Sequence, residues 1–343
     1  MEMKELNEFE LPRMKQWPLK EAARMEKLIR RHAHRGEFAV FDADNTIWYQ
    51  DLEETLLPYL ENRKILTRQM LDPSLKLIPF HPDDTLVSYG FKLYDIDHKI
   101  GYPWLAQVFS GFTLTVLKEY VDELFALNGR VIPCKYWKNN ELVEYLPTSP
   151  RIYPAQRELI NTLQANGIEV YVITAALEEL TRMIVSDPKY GLNVKPENVI
   201  GISCLLKDRK THRLTTARKQ ITNGHFWDEI FTKEDHYAME VTPYIQSPDT
   251  HYAGKPAALK EYIHPIKQPI LVSGDSPSDH CLLFCSDYSK GGLKLWINRK
   301  EEDWNFTQKA YKKYAEQEKE LGLDTTGDKN WIMVYPKDIG INN

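Results

Sequence analysis

The sequence is short of the residues that staple a protein or embed it in a membrane. Its 4 cysteines, Cys134, Cys204, Cys281 and Cys285, form no CxxC pair and are too few in 343 residues for a disulfide framework. Free, buried thiols are expected. No apolar run approaches the ~18 residues of a membrane-spanning helix, and the opening MEMKELNEFELPRMKQW lacks the apolar stretch of a secretory leader. A cytoplasmic location is expected, or a periplasmic one if a leader has been cleaved. Basic residues are in deficit: 44 Lys and Arg face 49 Asp and Glu, a net charge of -5. That argues against a general binder of nucleic-acid backbones. The 10 histidines show no metal-ligand spacing, and His34 and His280 read as structural. The pattern holds no internal repeat and leaves the oligomeric state open.

What is present is a large apolar fraction, 42%, and an aromatic set biased to polar-tipped rings, 19 Tyr and 8 Trp against 12 Phe. Such rings suit a core that meets water or a site for an amphipathic ligand. The length allows about two domains, or one large domain with an insertion. Three short apolar segments, Glu37 to Phe41, Glu169 to Thr174 and Pro269 to Asp275, end abruptly in polar turns and alternate with helical patterns. Residues 18–34 and 157–167 are two of these. This grammar predicts an α/β fold whose parallel sheet is covered by helices on both faces, with ligands bound beyond the carboxyl ends of the strands. More than 120 residues separate the first two strand ends, too many for a crossover. They predict an inserted, mostly helical cap over 51–148, with helices at 52–71 and 103–127, and a core made of 1–50 and 149–343. A hairpin is expected near 199–216, and an amphipathic helix from Lys300 to Leu321.

The first strand runs directly into Asp42-Ala43-Asp44-Asn45-Thr46. Two carboxylates two residues apart crowd negative charge that only a proton or a cation relieves. Mg²⁺, which takes a few carboxylate oxygens plus water and substrate phosphate, is a suitable cation. One such turn is equally an Asx turn that caps the next helix. The second acidic turn, with Asp275 directly after PILVSG and Asp279 four residues on, tips the reading toward a shared site. Thr174, Ala175 and Ala176 end the middle strand with a hydroxyl and small side chains that leave backbone N–H groups open to an oxyanion. Lys255, before Pro256 and an apparent helix, brings an ammonium to the same rim. Alone, Thr174 would read as a helix cap and Lys255 as a surface lysine.

In this order the four elements resemble the motifs of the haloacid dehalogenase (HAD) superfamily of phosphohydrolases, along nearly the whole chain. The resemblance implies a Rossmann-like core with the cap inserted after the first motif. It implies Mg²⁺ held by Asp42, Asp275 and the backbone carbonyl of Asp44, with Asp279 at or behind the metal site. Asp42 is then the nucleophile that forms an aspartyl-phosphate, and Asp44 the general acid and base. Thr174, Ala175 and Lys255 bind the phosphate oxygens. Asp44 favours phosphoryl transfer, since dehalogenases of this fold lack an acid/base Asp there. The DKTG motif of the related transport ATPases is absent.

The insertion and the hairpin look like the phosphoserine phosphatase branch. The stretches DNTIWYQDLEETLLPYLENR and IDHKIGYPWLAQVFSGFTL, with the TAA and GDSPSD turns, are more similar still to bacterial phosphorylcholine phosphatases; Ser278 stands where that family carries an additional Asp. A trimethylammonium group is recognised by aromatic faces, helped by a carboxylate. The residues around 89–104 hold such a set, and Trp48, Tyr94, Asp95, Asp97, Tyr102 and Trp104 are the candidates for a cationic headgroup. Asp51, Glu53 and Glu54 read instead as a helix amino terminus. The expected function is hydrolysis of a small phosphate ester, phosphorylcholine above others, with neither nucleic acid nor membrane as partner. A phosphoserine-type phosphatase is the alternative and requires a Lys or Arg from the cap in the site. A non-catalytic ester-binding protein is a further alternative, against which the Asp42 and Asp44 pair argues.

Overall fold

Short apolar strands that are covered on both faces can satisfy their backbone groups only through one another, so they assemble side by side. The computed structural model describes residues 13–138, 141–246 and 249–341; most of the stretch read for a leader lies outside them. Helix α1 (Leu19–His32) leads into β1 (Phe38–Phe41) and β2 (Trp48–Tyr49). Four helices follow, α2 (Leu52–Asn62), α3 (Leu86–Ile96), α4 (His98–Gln107) and α5 (Leu114–Ala126), then a hairpin of β3 (Cys134–Lys138) and β4 (Glu141–Tyr145). The chain returns through β5 (Arg151–Ile152), α6 (Pro154–Ala165), β6 (Glu169–Leu177) and α7 (Glu178–Val185). Next come β7 (Val199–Lys207), β8 (Leu214–Thr215), α8 (Ala217–Thr222), α9 (Lys233–Tyr237) and β9 (Glu240–Gln246). The last elements are α10 (Gly254–Tyr262), β10 (Leu271–Gly274), α11 (His280–Leu283), β11 (Leu293–Ile297), α12 (Glu301–Glu320) and β12 (Trp331–Val334).

The main sheet runs β12-β11-β10-β1-β6-β7-β8, with β9 also on β7. Its pairings from β12 to β7 are parallel, and β8 and β9 join antiparallel. Along β1, Ala39 and Phe41 pack with Met25, Ile29 and Leu159 on one face, while Phe38 and Val40 pack with Leu259, Leu283 and Tyr311 on the other. This is the two-sided α/β sheet expected. Each fully buried Leu, Ile or Phe contributes roughly 1.5–3 kcal/mol, so the strand at the centre of the sheet is firmly anchored. Phe41 lies in register with Ser273 of β10 and Val172 of β6. The turns after β1 and β10 therefore open at one level, beside Thr174, which stands two residues past Val172 where the pairing of β6 with β7 becomes irregular.

Several local expectations need revision. The helix expected over 52–71 stops at Asn62, because Lys64 takes a φ of 59° and the N–H of Ile65 bonds back to the Leu60 carbonyl. That is a Schellman-type stop without glycine. The helix expected over 103–127 is broken at Ser110–Phe112, where Gly111 donates to Val241 and Val241 donates to Phe112. Thr113 then restarts the helix as its cap. The β3–β4 hairpin adds to what the sequence suggests, whereas the hairpin expected at 199–216 is present as β7 and β8, with β7 also a strand of the main sheet. Helix α12 covers the expected range and buries Tyr311. All four cysteines are free, with Cys204 buried and the other three partly so. Among the described residues no helix is long and apolar enough to cross a membrane.

Candidate active site

The first acidic turn begins where β1 ends, with the Asp42 N–H donating to the Ser273 carbonyl of β10 at 3.0 Å. Carboxylate oxygens of Asp42, Asp275 and Asp279 come within 4.8 Å of one another, and all three residues are buried. Lys255, on α10 and only 1% exposed, donates to Asp42 Oδ1 at 2.5 Å and to Asp279 Oδ1 at 2.6 Å. The other oxygen of Asp279 accepts the N–H groups of Asp275 and Ser276, at 3.0 and 3.2 Å. Gly274 is required at this turn, because a Cβ there would lie 2.6 Å from that of Asp279. Thr46 donates to Asp275 Oδ1 at 3.1 Å, and Arg299 Nε donates to Asp275 Oδ2 at 2.7 Å.

Burial and the neighbouring Asp279 push Asp42 up to about 8, against the downward pull of Lys255. Burial likewise raises Asp275 to about 6, though Arg299 opposes it. Lys255 and Arg299 are both held above their ordinary values by these carboxylates. Three buried hard oxygen donors within 4.8 Å of one another form a set that a hard divalent cation fits.

Asp44 faces a different environment. Its Oδ1 accepts from Trp48 Nε1 and from the Leu52 N–H, each at 2.8 Å. Burial first, then Asp51, raises it well above the carboxylate range. Its side chain is not among the three clustered carboxylates. Thr174, 1% exposed, accepts the Ala176 N–H on its hydroxyl at 3.2 Å, while its carbonyl takes the Thr250 hydroxyl. Thr174, Ala175 and Ala176 line the same cleft as Asp42, Asp44, Lys255 and Asp275.

That cleft has a volume of about 480 Å³ and is walled by Phe91, Tyr94, His98, Tyr102 and Tyr145 together with Asp51, Glu53 and Glu54. Tyr94 and Tyr102 meet edge to face at 4.8 Å. The other headgroup candidates lie elsewhere. Trp48 is fully buried and spends its N–H on Asp44. Trp104 packs inside the helices and donates to the Leu75 carbonyl. Asp95 and Asp97 are exposed, and Asp97 caps α4. The acidic partner of the rings is instead the start of α2. Asp51 does cap that helix, as expected, yet it also lines the cleft. Glu53 accepts the Leu177 N–H at 2.8 Å and so ties α2 to the end of β6. Glu54 accepts the Tyr145 hydroxyl at 3.0 Å.

Arg299 and Tyr145 were not singled out in the sequence. Arg299 obeys the same rule as the other site residues, since Asn298-Arg299-Lys300 is the polar end of another apolar strand, LKLWI. Lys294 hides that strand by interrupting the run; it is 2% exposed and donates to the Thr326 and Lys329 carbonyls. Tyr145 comes from the unanticipated hairpin.

No family model matches the chain. It is 47% identical over 330 residues to the phosphorylcholine phosphatase of Pseudomonas aeruginosa, covering 95% of this chain and 93% of that protein. Among solved structures, a conserved functionally unknown protein from Anaerococcus prevotii superposes with a TM-score of 0.60 at 17% identity, over 90% of this chain and 92% of that one. A HAD family hydrolase from Salmonella enterica serovar Typhi follows with a TM-score of 0.41 at 12% identity, over 75% of this chain and 62% of that one. With nearly half its residues shared along almost its full length, and its acidic turns set at the ends of adjacent parallel strands, the chain belongs to the phosphorylcholine phosphatase family.

Proposed function

We propose that the enzyme hydrolyses phosphorylcholine to choline and phosphate by way of a phosphoryl group carried on Asp42, and that residues 51–148 act as the cap over the site. The observation that carries this reading is one cleft with two chemistries: Asp42 and Lys255 at its floor, and aromatic rings with Glu54 on its wall. Asp42 and Asp275, with Asp279 and the Asp44 carbonyl beside them, would hold Mg²⁺, which lowers the negative charge so that a phosphate dianion can approach.

Asp42 attacks phosphorus in line; the new P–O bond forms as the bond to the choline oxygen breaks. Asp44, kept protonated by burial and by Asp51, gives its proton to the leaving alkoxide. As a carboxylate it then takes a proton from the water that attacks phosphorus and frees Asp42. Lys255, the Thr174 hydroxyl and nearby N–H groups offset the charge spread over the equatorial oxygens. The Trp48 and Leu52 bonds fix Asp44 for both proton transfers. Trp48→Phe keeps the ring and loses the bond, so kcat for phosphorylcholine should fall roughly tenfold. The first-step burst of p-nitrophenolate from p-nitrophenyl phosphate, whose leaving group needs no proton, should hardly slow, since only the second step then calls on Asp44; a burst slowed as much as phosphorylcholine turnover would refute the positioning role.

Among the described residues, none that lines the cleft from 51–148 is Lys or Arg. That supports a cationic alcohol over phosphoserine, whose own carboxylate would face Asp51 and Glu54. The test is kcat/KM across phosphorylcholine, phosphoethanolamine, phosphoserine and p-nitrophenyl phosphate, before and after EDTA treatment. Phosphorylcholine should lead, and EDTA should stop turnover of all four. Burial and Asp51 raise Glu54 to about 7. Its attractive, ionised form therefore grows in as pH rises, and KM for phosphorylcholine should drop through that range. Glu54→Gln should remove this pH component and raise KM roughly tenfold. No preference for the quaternary ammonium, or an unchanged KM in Glu54→Gln, would defeat the choline reading and leave the phosphatase standing.

A further inference from the structure

A second cleft, of about 570 Å³, adjoins the catalytic one and shares Asn45, Gln50, Arg299 and Lys300 with it. The two have opposite chemistry. Asp42, Asp44, Asp51, Glu53, Glu54 and Asp275 line the catalytic cleft, whereas among the described residues no carboxylate lines the second, whose charged residues are Arg299, Lys300 and Lys337. The nearby Glu301 is already engaged, accepting Asn298 Nδ2 at 2.9 Å and the Tyr335 hydroxyl at 2.8 Å on one oxygen. Lys300 is also the N-cap residue of the 20-residue α12, an end that no side chain caps. Glu301, Glu302 and Asp303 occupy the first turn of that helix, so the pull on an anion comes from the basic side chains of the cleft.

We propose that this second cleft is an anion site that receives inorganic phosphate as it leaves the catalytic cleft. Phosphate released beside Asp42 is repelled along the wall of Asp51, Glu53 and Glu54. Lys300, common to both clefts, draws it the other way beside Arg299, whose guanidinium also holds Asp275, and Lys337 stands beyond them over the Tyr335 ring. The two clefts thus separate the products by charge. The inference rests on the chain being a phosphatase and is independent of which alcohol it releases.

The test is inhibition of the full-length enzyme by inorganic phosphate, with p-nitrophenyl phosphate as substrate so that a cationic alcohol plays no part. Phosphate held in the second cleft while substrate fills the first obstructs release. Inhibition of the wild type should therefore be mixed, with an uncompetitive component from the second cleft. Lys337 does not line the catalytic cleft. Lys337→Glu should weaken the uncompetitive constant roughly fivefold and leave the competitive constant and KM within about twofold. Lys337→Gln should act in the same direction with a smaller change, and the melting temperature of each variant checks its fold. Purely competitive inhibition of the wild type, or an uncompetitive constant that Lys337→Glu leaves unchanged, would overturn the proposal.

Discussion

Asp42→Asn should fold as the parent does and lose turnover by roughly four orders of magnitude or more. The amide is nearly isosteric, so the β1 turn and its bond to Ser273 remain. It also removes one of three charges from a buried cluster whose crowding pushes the native carboxyl up to about 8, so stability should not suffer. What disappears is the nucleophile. The loss should be as large for p-nitrophenyl phosphate as for phosphorylcholine, because no leaving group is good enough to replace the attacking oxygen. Steady-state kinetics and a melting curve decide the matter together: unchanged turnover would remove the covalent route, and a collapsed fold would make the variant silent about chemistry, in which case Asp42→Glu, with its displaced carboxylate, supplies the same comparison.

Lys255→Met should damage both fold and chemistry. The ammonium is fully buried between Asp42 and Asp279, and removing one partner of a buried ion pair typically costs about 3–5 kcal/mol because the other charges stay behind. In EDTA, where no divalent cation compensates, the melting temperature should drop by roughly 4–7 °C. Adding Asp279→Asn should recover part of that drop by removing one stranded carboxylate. Turnover should fall by roughly 10²–10³-fold, the usual loss when a charge that faces the developing phosphoryl oxygens is removed. Lys255→Met with an unaltered melting temperature would show that the triad does not hold the strand ends together.

Much of this site is legible in the sequence because the parallel sheet converts a local pattern into a spatial one. Asp42 and Asp275 each follow an apolar strand, Thr174 stands within β6 just past its apolar run, and in-register pairing of β10, β1 and β6 brings the three to one level. Lys255 and Asp279 are legible only as accompaniments to those turns. The wall of the cleft is less so, since it depends on how α2, α3, α4 and β4 fold over the sheet. Trp48 and Trp104 have the right ring chemistry but point into packing. Asp95 and Asp97 lie at the α3–α4 junction, one of them as a cap. Glu54 sits in the first turn of α2, where a helix dipole alone would account for it, and only the position of Tyr145 shows that it belongs to the cleft. Arg299 escaped notice because a buried lysine breaks the apolar run that precedes it.

Direct capture of the phosphoryl group on Asp42 is the most decisive measurement. In the proposed mechanism Asp44→Asn cannot activate the water of the second step, yet p-nitrophenyl phosphate needs no acid for the first. Mixed with this variant in Mg²⁺ and quenched in acid, it should give a burst of one nitrophenolate per enzyme molecule, with the phosphoryl group recovered on the peptide that spans Asp42. A phosphoryl group on any other residue, or no burst and no labelled peptide from a variant that still binds substrate, would contradict catalysis through Asp42.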